Sequence, residues 1–446
     1  MTAAPDPSLA PSLLSRVRKL LAMAEGTSNA NEADAFSRKA AELIAAHRID
    51  PERLRESVND ELGVLQLHLG RGAYVRGRLA LLQGVAGVTP ASLVMLAVAG
   101  VLLWLGIAKN YEPLLLLPIG AGCLLANLPL SPLIGDEGML KILYHMGVGN
   151  ELFPLLIFIG IGALTDFGPL LENPRTVLLG AAGQFGIFAT LLLALALGFT
   201  RPEAASIGII GAIDGPTSIY VSGILAPHLL APITVAAYSY MSLVPIILPP
   251  IMRLLTTKRE RLIRMPYSQR SISRRTRVLF PIVVTLVVGI LVPFATPLIG
   301  MLMLGNLMKE SGVVERLTKA SSQEIANVVT LFLGLAIGST MVGSEFLKTS
   351  TLMILVLGIG AFALDAVAGV LFAKLLNAAG GGNALNPLIG AAGISAFPMA
   401  ARVVHKAAQD EDFENHLLMH AMGANAAGQV ASVVAGGVLL ALMGAG

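Results

Sequence analysis

The feature that most constrains this chain is a succession of apolar segments that begins near Ser92. Each is about 20 residues long, the length at which a helix crosses the hydrocarbon core of a bilayer. The 446 residues are 55% hydrophobic and 13% charged, whereas a soluble protein carries about 25% charged residues. The sequence therefore predicts an all-α polytopic membrane protein with about ten or eleven membrane segments. The candidate spans are 92–108, 112–130, 150–166, 175–199, 203–225, 229–255, 278–304, 323–342, 350–377, 384–404 and 416–444, of which 112–130 and 384–404 are also candidates for re-entrant segments.

The N-terminal part differs from the rest of the chain in charge. Residues 1–90 hold 21 Asp, Glu, Lys and Arg, against 38 in the other 356 residues. We therefore expect a small soluble helical domain at 1–90 and a membrane domain at 91–446. Within 12–56, apolar residues recur at spacings of three and four, which predicts two amphipathic helices. This stretch faintly resembles the helical pair of a small, uncharacterised bacterial domain family. Its role is left open, and a solvated, non-essential extension is the simpler interpretation.

One long polar loop divides the membrane domain near its middle. Residues 253–277 carry nine Lys and Arg against a single acid, Glu260, and short loops this basic stay on the cytoplasmic side of a membrane. Taken as 253–278, the loop separates a first half at 91–252 from a second half at 279–446. We expect a multi-pass protein of the inner membrane with this loop in the cytoplasm. Contact with lipid or docking of a partner are alternatives to a purely topological role for the loop.

Each half contains a segment in which Gly and Pro interrupt the apolar run. The first is "GAIDGPTSIY" at 211–220, and the second is "NPLIGAAGIS" at 386–395. An ordinary helix does not continue undisturbed through these residues. Paired broken segments in corresponding positions of two halves indicate a binding site at the membrane midplane, commonly within an inverted repeat. The sequence therefore predicts two inverted repeats with broken helices.

The first broken segment contains a carboxylate, Asp214. An ionised carboxylate at bilayer depth costs several kcal/mol unless it is paired or binds a cation, and its segment contains no Lys or Arg. Thr217 and Ser218 add hydroxyl oxygens, and Gly215 and Pro216 free backbone carbonyls that a helix would consume. Oxygen ligands of this kind suit a hard cation such as Na⁺. The alternative is a protonated Asp that only stabilises the helix break.

The second broken segment offers an amide and a hydroxyl. Asn386 and Ser395 lie nine residues apart, with Pro387, Gly390 and Gly393 between them. If the segment is unwound, both side chains can face a common cavity. The alternative is local capping, because Asn before Pro often begins a helix and Ser often bonds its own backbone.

Other polar residues of the apolar region carry weaker signals. Tyr238 and Tyr240 suit an interfacial belt, Arg402 suits a helix end where its side chain snorkels, and Asp166 suits a helix cap. Further candidates are His405, Lys406, His420, Asn425, Glu345 and a second intramembrane acid, Asp365.

Several function classes are excluded by what the sequence lacks. The net charge of +3 is too small to argue for nucleic acid, and a single cysteine, Cys123, cannot form an internal disulfide. The first dozen residues have neither a charged n-region nor an apolar core, so we expect no signal peptide. The sequence contains no Walker loop, no metal-ligand Cys/His spacing, no nucleophile elbow and no biotinyl-lysine site. The energy for moving a cation must then come from a gradient or a partner protein.

Nine motifs follow one another from about residue 92 to the C-terminus: "YEPLLLLPIGAG", "GALTDFGPLLENP", "GAAGQFGIF", "GAIDGPTSIY", "AAYSYMSLVPII", "PPIMRLLTTKRERLIRM", "PLIGMLMLGNLMKESGVVERL", "NPLIGAAGISAFPMAARV" and "LLMHAMG". Together they resemble the β subunit of the sodium-pumping biotin-dependent decarboxylases, the family of the oxaloacetate, methylmalonyl-CoA, glutaconyl-CoA and malonate enzymes. The resemblance covers some four-fifths of the chain.

This resemblance implies a division of labour between subunits. A carboxyltransferase subunit moves CO₂ from the substrate to a biotinylated carrier. The β subunit decarboxylates carboxybiotin, consumes a proton from the outer side and exports Na⁺. The chain would form a homotrimer with a small single-span membrane subunit, in contact with membrane lipid. Biotin would reach it on the carrier subunit, with none attached to this chain.

The resemblance also assigns residues by position. Asp214 matches the key acid, Gly390 a close-packed glycine, and the implied carboxybiotin pocket lies near Asn386 and Arg402. The implied catalytic residues are Asp214, Ser395, Tyr240 and Arg402. The expected Na⁺ ligands are Asp214, Thr217, Asn386, Ser395 and Asn425.

Two other hypotheses are left open by the residues themselves. Composition and the paired breaks fit a stand-alone secondary Na⁺ transporter or exchanger without a decarboxylation step equally well, and an assembly scaffold without pumping is a third. The nine motifs favour the decarboxylase subunit. The acid or acyl-CoA that is decarboxylated is chosen in another subunit and is not readable from this sequence.

Overall fold

A computed structural model describes residues 17, 19–21, 23–24, 27, 30–46, 87–109, 113–129, 131–135, 137–265, 272–380 and 385–444. It divides the chain into two compact units, residues 1–78 and 79–446. The described residues form helices and no strand, which confirms the all-α prediction. The boundary expected at residue 90 stays a prediction.

The first unit contains helix α1, Ala30–Ala46. Val17 and Ala40 are fully buried, and the apolar residues that pack against them are Leu20, Leu21, Leu43 and Ile44. These positions follow the apolar spacing predicted for an amphipathic pair. Leu13, which the same pattern includes, lies outside the described residues.

The second unit contains fourteen principal helices among its described residues. They are α2 Pro90–Ala108, α3 Pro113–Ala126, α4 Leu152–Leu164, α5 Thr176–Ala182, α6 Phe185–Ala196, α7 Arg201–Gly208, α8 Gly215–Leu225, α9 Leu230–Leu255, α10 Arg274–Leu291, α11 Thr296–Ser311, α12 Ala326–Ser339, α13 Thr349–Ala379, α14 Met399–Gln409 and α15 Leu418–Leu442. The shorter α-helices are Met139–Leu143, Gly168–Glu172, Lys258–Arg261, Glu315–Ala320 and Gly343–Phe346. π-Helical turns span Tyr144–Val148 and Ser321–Ile325, and 3₁₀ turns span Pro132–Ile134, Ile209–Ala212, Pro227–Leu229, Pro293–Ala295 and Pro387–Ala392.

Five stretches of the described residues are long and apolar enough to cross a membrane: Pro90–Ala108, Thr176–Ala196, Glu315–Ser339, Thr349–Ala379 and Leu418–Leu442. Two bent helix pairs raise the number to seven if each is one span. The polytopic membrane architecture is therefore confirmed. The spans expected at 203–225, 278–304 and 384–404 are divided into shorter helices and 3₁₀ turns where Gly, Pro or Asp interrupts the apolar run.

The prediction of a single span at 278–304 is wrong, because this stretch contains two helices. The structure divides it into α10 and α11, which pack against each other across a turn at Pro293–Ala295. Pro293 has no backbone N–H to continue α10, and Pro297 occupies the second position of α11, where a missing N–H costs nothing. The apolar run is continuous in composition, so hydropathy alone did not reveal the turn.

Helices of the two halves pack against each other in pairs. The pairs are α3 with α12, α4 with α11, α5 with α15, and α9 with α13. This interlocking brings the two broken segments together in the interior. We call residues 209–214 the first break and residues 386–395 the second break. Their matched positions are consistent with two inverted repeats.

One side of the membrane unit gathers the ends of several helices near the basic loop. Arg261 forms an ion pair with Glu411 at 2.8 Å, and Arg274 donates to the carbonyl of Ser311. Lys309 in turn donates to the carbonyl of Thr165 at 3.0 Å. These contacts place the C-terminal ends of α4 and α11 beside the N-terminal end of α10, and the segment after α9 beside the end of α14. We call this side of the unit, where the basic loop begins and ends, the loop face.

Candidate functional site

Asp214 lies at the centre of the candidate site. It is 3% exposed and is the N-cap residue of α8, where its Oδ1 accepts from the backbone N–H of Thr217 at 3.3 Å. Oδ2 accepts from Thr217 Oγ1 at 2.7 Å and from Ser432 Oγ at 2.9 Å. Gln429 Nε2 is 3.4 Å from the same oxygen. No ion pair among the described residues includes Asp214, so its oxygens are surrounded by neutral polar groups.

The sequence around Asp214 explains why the chain breaks there. Ile213 has a φ of 52°, in the left-handed region. For a β-branched residue this conformation costs of order 1–3 kcal/mol, and strain of that kind is typical of functional sites. Gly215 follows because a Cβ there would lie 2.2 Å from Cζ of Tyr238.

Ser395 joins the second break to the first. Its hydroxyl donates to the carbonyl of Ala212 at 2.7 Å, and its backbone N–H reaches the same oxygen at 3.2 Å. Ala212 precedes Asp214 by two residues. The structure therefore brings Ser395 next to the backbone that carries Asp214.

A cavity of about 730 Å³ connects these groups. The polar residues that line it include Asp166, Asp214, Tyr238, Ser322, Asn327, Thr330, Ser395, Arg402 and Gln429. Asp166, which caps the backbone N–H of Gly168 at 2.8 Å, marks the loop face. The cavity thus reaches from the loop face to the Asp214 carboxylate.

Arg402 lies on α14 and is exposed at the cavity. No ion pair among the described residues includes its guanidinium. An exposed guanidinium at a cavity wall presents several N–H donors in a planar fork that matches a carboxylate.

Asn386 does not line this cavity. Its Nδ2 donates to the carbonyls of Arg261 and Ile263, both at 2.9 Å, and its Oδ1 accepts from the N–H of Leu388 at 3.0 Å. Asn386 thus caps the 3₁₀ turn at Pro387–Ala392 and holds the loop that follows α9. This is the geometry of the capping alternative, and the pairing of Asn386 with Ser395 in one cavity is not observed.

The two tyrosines of α9 differ in their surroundings. Tyr238 lines the cavity beside Gly215. The hydroxyl of Tyr240, the predicted catalytic tyrosine, donates to the carbonyl of Leu355 in α13. Tyr240 is not among the residues that line the cavity.

Asn425 and Gln184 bind the backbone of the second break from two sides. Asn425 Nδ2 donates to the carbonyls of Ala392 and Ile394, at 3.2 and 2.6 Å. Gln184 Nε2 reaches the carbonyl of Gly393 at 3.3 Å. The side-chain oxygens Asn425 Oδ1 and Gln184 Oε1 are buried and accept no hydrogen bond.

Sequence reasoning missed Gln429 and Ser432, the two partners that α15 contributes to Asp214. With Asn425 they occupy positions i, i+4 and i+7 of an apolar helix, which places all three on one face. That polar stripe was the available signal. Gly390 was assigned correctly as a close-packed glycine, because a Cβ there would lie 2.0 Å from the carbonyl oxygen of Gly369.

The fold and the site together define a class of protein. A polytopic helical unit with an uncompensated carboxylate at a helix break, reached through a cavity, is the arrangement of a membrane ion transporter. The chain belongs to the family described as the Na⁺-transporting oxaloacetate decarboxylase beta subunit, which matches residues 91–443. The first unit matches at residues 12–50 a family described as a protein of unknown function (DUF2786).

Individual relatives cover most of both chains. The oxaloacetate decarboxylase beta chain of Klebsiella pneumoniae is 49% identical over 408 residues, which is 78% of this chain and 94% of the relative. The methylmalonyl-CoA decarboxylase subunit beta of Veillonella parvula is 51% identical over 360 residues, 81% and 95% of the two chains. The glutaconyl-CoA decarboxylase subunit beta of Acidaminococcus fermentans is 50% identical over 361 residues, 81% and 96%. These names favour a decarboxylase subunit over a stand-alone transporter.

Proposed function

We propose that this chain decarboxylates carboxybiotin within the membrane and couples the reaction to export of Na⁺. The observation that carries the proposal is the Asp214 carboxylate, buried at a helix break and reached by a cavity from the loop face. Family membership supports the reaction, and the buried carboxylate with its neighbouring oxygens supports an ion site at Asp214.

Asp214 is the proposed anchor of the Na⁺ site. Hydroxyl oxygens of Thr217 and Ser432 already lie within hydrogen-bond distance of its carboxylate, and Ser395 lines the same cavity. Carboxylate and hydroxyl oxygens are ligands that hard cations prefer. Asn425 contributes its buried side-chain oxygen Oδ1, which accepts no hydrogen bond from the described residues. The side-chain amide of Asn386 already bonds to backbone groups. We therefore propose that Asn386 holds the second break in place and is not a direct ligand of Na⁺.

Arg402 is the proposed binding group for the carboxylate of carboxybiotin. It is exposed at the cavity, and its fork of donors suits a planar carboxylate. Asp166 and Ser322 line the same cavity toward the loop face, so a carrier subunit that delivers carboxybiotin would approach from that side.

Coupling follows from competition at one carboxylate. In the reaction the bond between the biotin ring nitrogen and the carboxylate carbon breaks, CO₂ leaves, and the nitrogen takes up one proton. If that proton reaches the site only by displacing Na⁺ from the oxygens of Asp214, each turnover releases the ion. Ser395, which lines the cavity, is the proposed proton carrier. For Tyr240, whose hydroxyl donates to the carbonyl of Leu355, we propose the role of holding α9 against α13. Decarboxylation must also change the relative affinity of the two access states, because equal affinity would move nothing.

The proposed assembly follows the family names, which belong to subunits of larger decarboxylases. We propose a carboxyltransferase, a biotinylated carrier and a small single-span membrane subunit as partners, with three copies of this chain. We further propose that it resides in the inner membrane with the basic loop in the cytoplasm, where the carrier is made.

Asp214→Asn tests the proposal in membrane vesicles that contain the complete complex. The expected result is loss of both Na⁺ uptake and Na⁺-dependent decarboxylation, with carboxyl transfer to the carrier intact. Asp410→Asn, the same change at an exposed loop position, serves as the matched control and should behave as wild type. Retention of Na⁺-stimulated decarboxylation by Asp214→Asn rejects the assignment.

A further inference from the structure

A second acid lies in the membrane unit outside the proposed ion site. Asp365 occupies the middle of α13 and is fully buried. No ion pair among the described residues includes it. A buried carboxyl without a basic partner is costly, so its place in the fold requires an explanation.

One carboxyl oxygen of Asp365 caps a neighbouring helix. Oδ1 accepts from the backbone N–H of Gly186, in the first turn of α6. The first N–H groups of a helix have no partner within that helix. Asp365 supplies the missing acceptor from a different element, so it ties α13 to the N-terminus of α6.

The other oxygen lies against the first break. No hydrogen bond from the described residues reaches Oδ2, and a Cβ at Gly211 would lie 2.8 Å from it. Gly211 precedes Asp214 by three residues. The carboxyl therefore lies between the N-terminus of α6 and the turn at Gly211, which precedes Asp214.

The same face of α13 contacts both breaks. Gly358 packs against Ile210 and the ring of Tyr240, and Gly369 packs against the carbonyl of Gly390. Gly358, Asp365 and Gly369 are spaced seven and four residues apart, which places them on one side of the helix. Asp365 is the polar residue of this contact surface. A displacement of α13 there would shift the backbone that precedes Asp214.

We propose that Asp365 is a positioning residue for the Asp214 site: its carboxyl fixes α6 and the turn at Gly211, and through them the affinity of the site for Na⁺. What matters in this role is the acceptor oxygen at the N-terminus of α6. The proposal rests on the proposed function in taking Asp214 as the Na⁺ site.

The test compares Asp365→Asn, which keeps an acceptor oxygen, with Asp365→Leu, which does not. The Na⁺ dissociation constant of the purified chain is measured from the rise of its thermal unfolding temperature with Na⁺ concentration. We expect Asp365→Leu to raise that constant about tenfold, the effect of losing one buried hydrogen bond at the site, and Asp365→Asn to stay within about twofold. Leu364→Ala, at an exposed neighbouring position, is the control and should leave the constant unchanged.

A merely structural role would lower the unfolding temperature without Na⁺ and leave the Na⁺ dissociation constant unchanged, and that result overturns the proposal. So does an Asp365→Asn variant as weak as Asp365→Leu. If Asp365→Leu does not fold, Gly211→Ala replaces it, because its Cβ would press on Oδ2 and displace the turn. An unchanged constant in that variant is equally contradictory. If Na⁺ does not raise the unfolding temperature of the wild-type chain, the proposed function fails together with this proposal. If Na⁺ stabilises the wild type but not Asp214→Asn, the Na⁺ site at Asp214 stands. An unchanged Na⁺ dissociation constant in the Asp365 variants then contradicts only the role of Asp365.

Discussion

At the residue scale, the decisive feature is how the Asp214 carboxylate is surrounded. Three neutral side chains bond to it, those of Thr217, Gln429 and Ser432, and no basic side chain of the described residues pairs with it. Neutral donors stabilise a carboxylate without closing the site permanently, as an Arg or Lys would. We propose that the two hydroxyls turn their oxygens to a cation that enters the site.

Ser432→Ala tests this environment directly. Removing the hydroxyl deletes a 2.9 Å hydrogen bond to Asp214 and one proposed ligand oxygen. We expect the Na⁺ concentration for half-maximal decarboxylation to rise about five- to tenfold, as for the loss of one hydrogen bond worth about 1 kcal/mol. Ser339→Ala in α12 is the matched control, since that hydroxyl bonds only the backbone of its own helix among the contacts described. Equal Na⁺ dependence of the two variants would contradict the role of Ser432.

The sequence identified Asp214 and Ser395 because each lies in an interruption that apolar segments rarely contain. It did not identify Gln429 or Ser432. An amide or hydroxyl in an apolar helix usually bonds its own backbone, so the residue type alone carries little information. Only the packing of α15 against the first break brings these two side chains to Asp214.

At the element scale, the two breaks have different neighbours. The first break faces the cavity, whereas the start of the second break holds the loop after α9. Asn386 and Asn415 both donate to the carbonyls of Arg261 and Ile263. The sequence predicted where the backbone breaks, because Gly and Pro act locally. It could not predict which way Asn386 turns, since that depends on a loop more than 100 residues earlier in the chain.

Asn415→Ala is expected to loosen this loop. Each of the two backbone carbonyls loses one of its two donors and keeps Asn386. The loss costs about 0.5–1.5 kcal/mol, as for a net hydrogen bond, so trypsin should cleave after Arg261 and Arg264 several-fold faster. Gln409→Ala, a half-buried position at the C-terminal end of α14, is the control. An unchanged cleavage pattern in Asn415→Ala would show that the loop is held by other contacts.

The ion pairs of this loop have a defined pH dependence. A hydrogen bond from Arg264 lowers the pKa of Asp412 below the ordinary value of an aspartate. A depressed carboxyl pKa contributes stability that is complete above the unfolded pKa and is lost as the pH falls through the folded pKa. We therefore expect loop protection, measured by hydrogen exchange, to be constant around neutral pH and to weaken only below the ordinary pKa of an aspartate. Loss of protection at mildly acidic pH would contradict this assignment.

At the scale of the whole molecule, composition alone predicted the class, because few charges and long apolar runs admit only a membrane protein. Composition did not predict how many of the apolar runs form a single complete span. The turn between α10 and α11 sits within a continuous apolar run, and only the packing of the two helices reveals it.

Removal of residues 1–78 tests how far the function belongs to the second unit. The family match covers 91–443, and residues 79–446 form a compact unit of their own. Because the family match lies within the second unit, we expect the shortened chain, assembled with its partner subunits, to keep Na⁺-dependent decarboxylation within about twofold of the full chain. A twofold change corresponds to less than ~0.5 kcal/mol. Loss of activity with normal membrane insertion would assign the first unit a necessary role.

In the proposed mechanism, one carboxylate holds either Na⁺ or a proton. Binding of radioactive Na⁺ to the purified chain, measured over a range of pH, distinguishes this competition from two independent sites. We expect the apparent Na⁺ dissociation constant to rise as the pH falls, approaching about tenfold per pH unit for one competing proton, and Asp214→Asn to abolish this specific binding. A Na⁺ affinity independent of pH, or unchanged binding by Asp214→Asn, would contradict it.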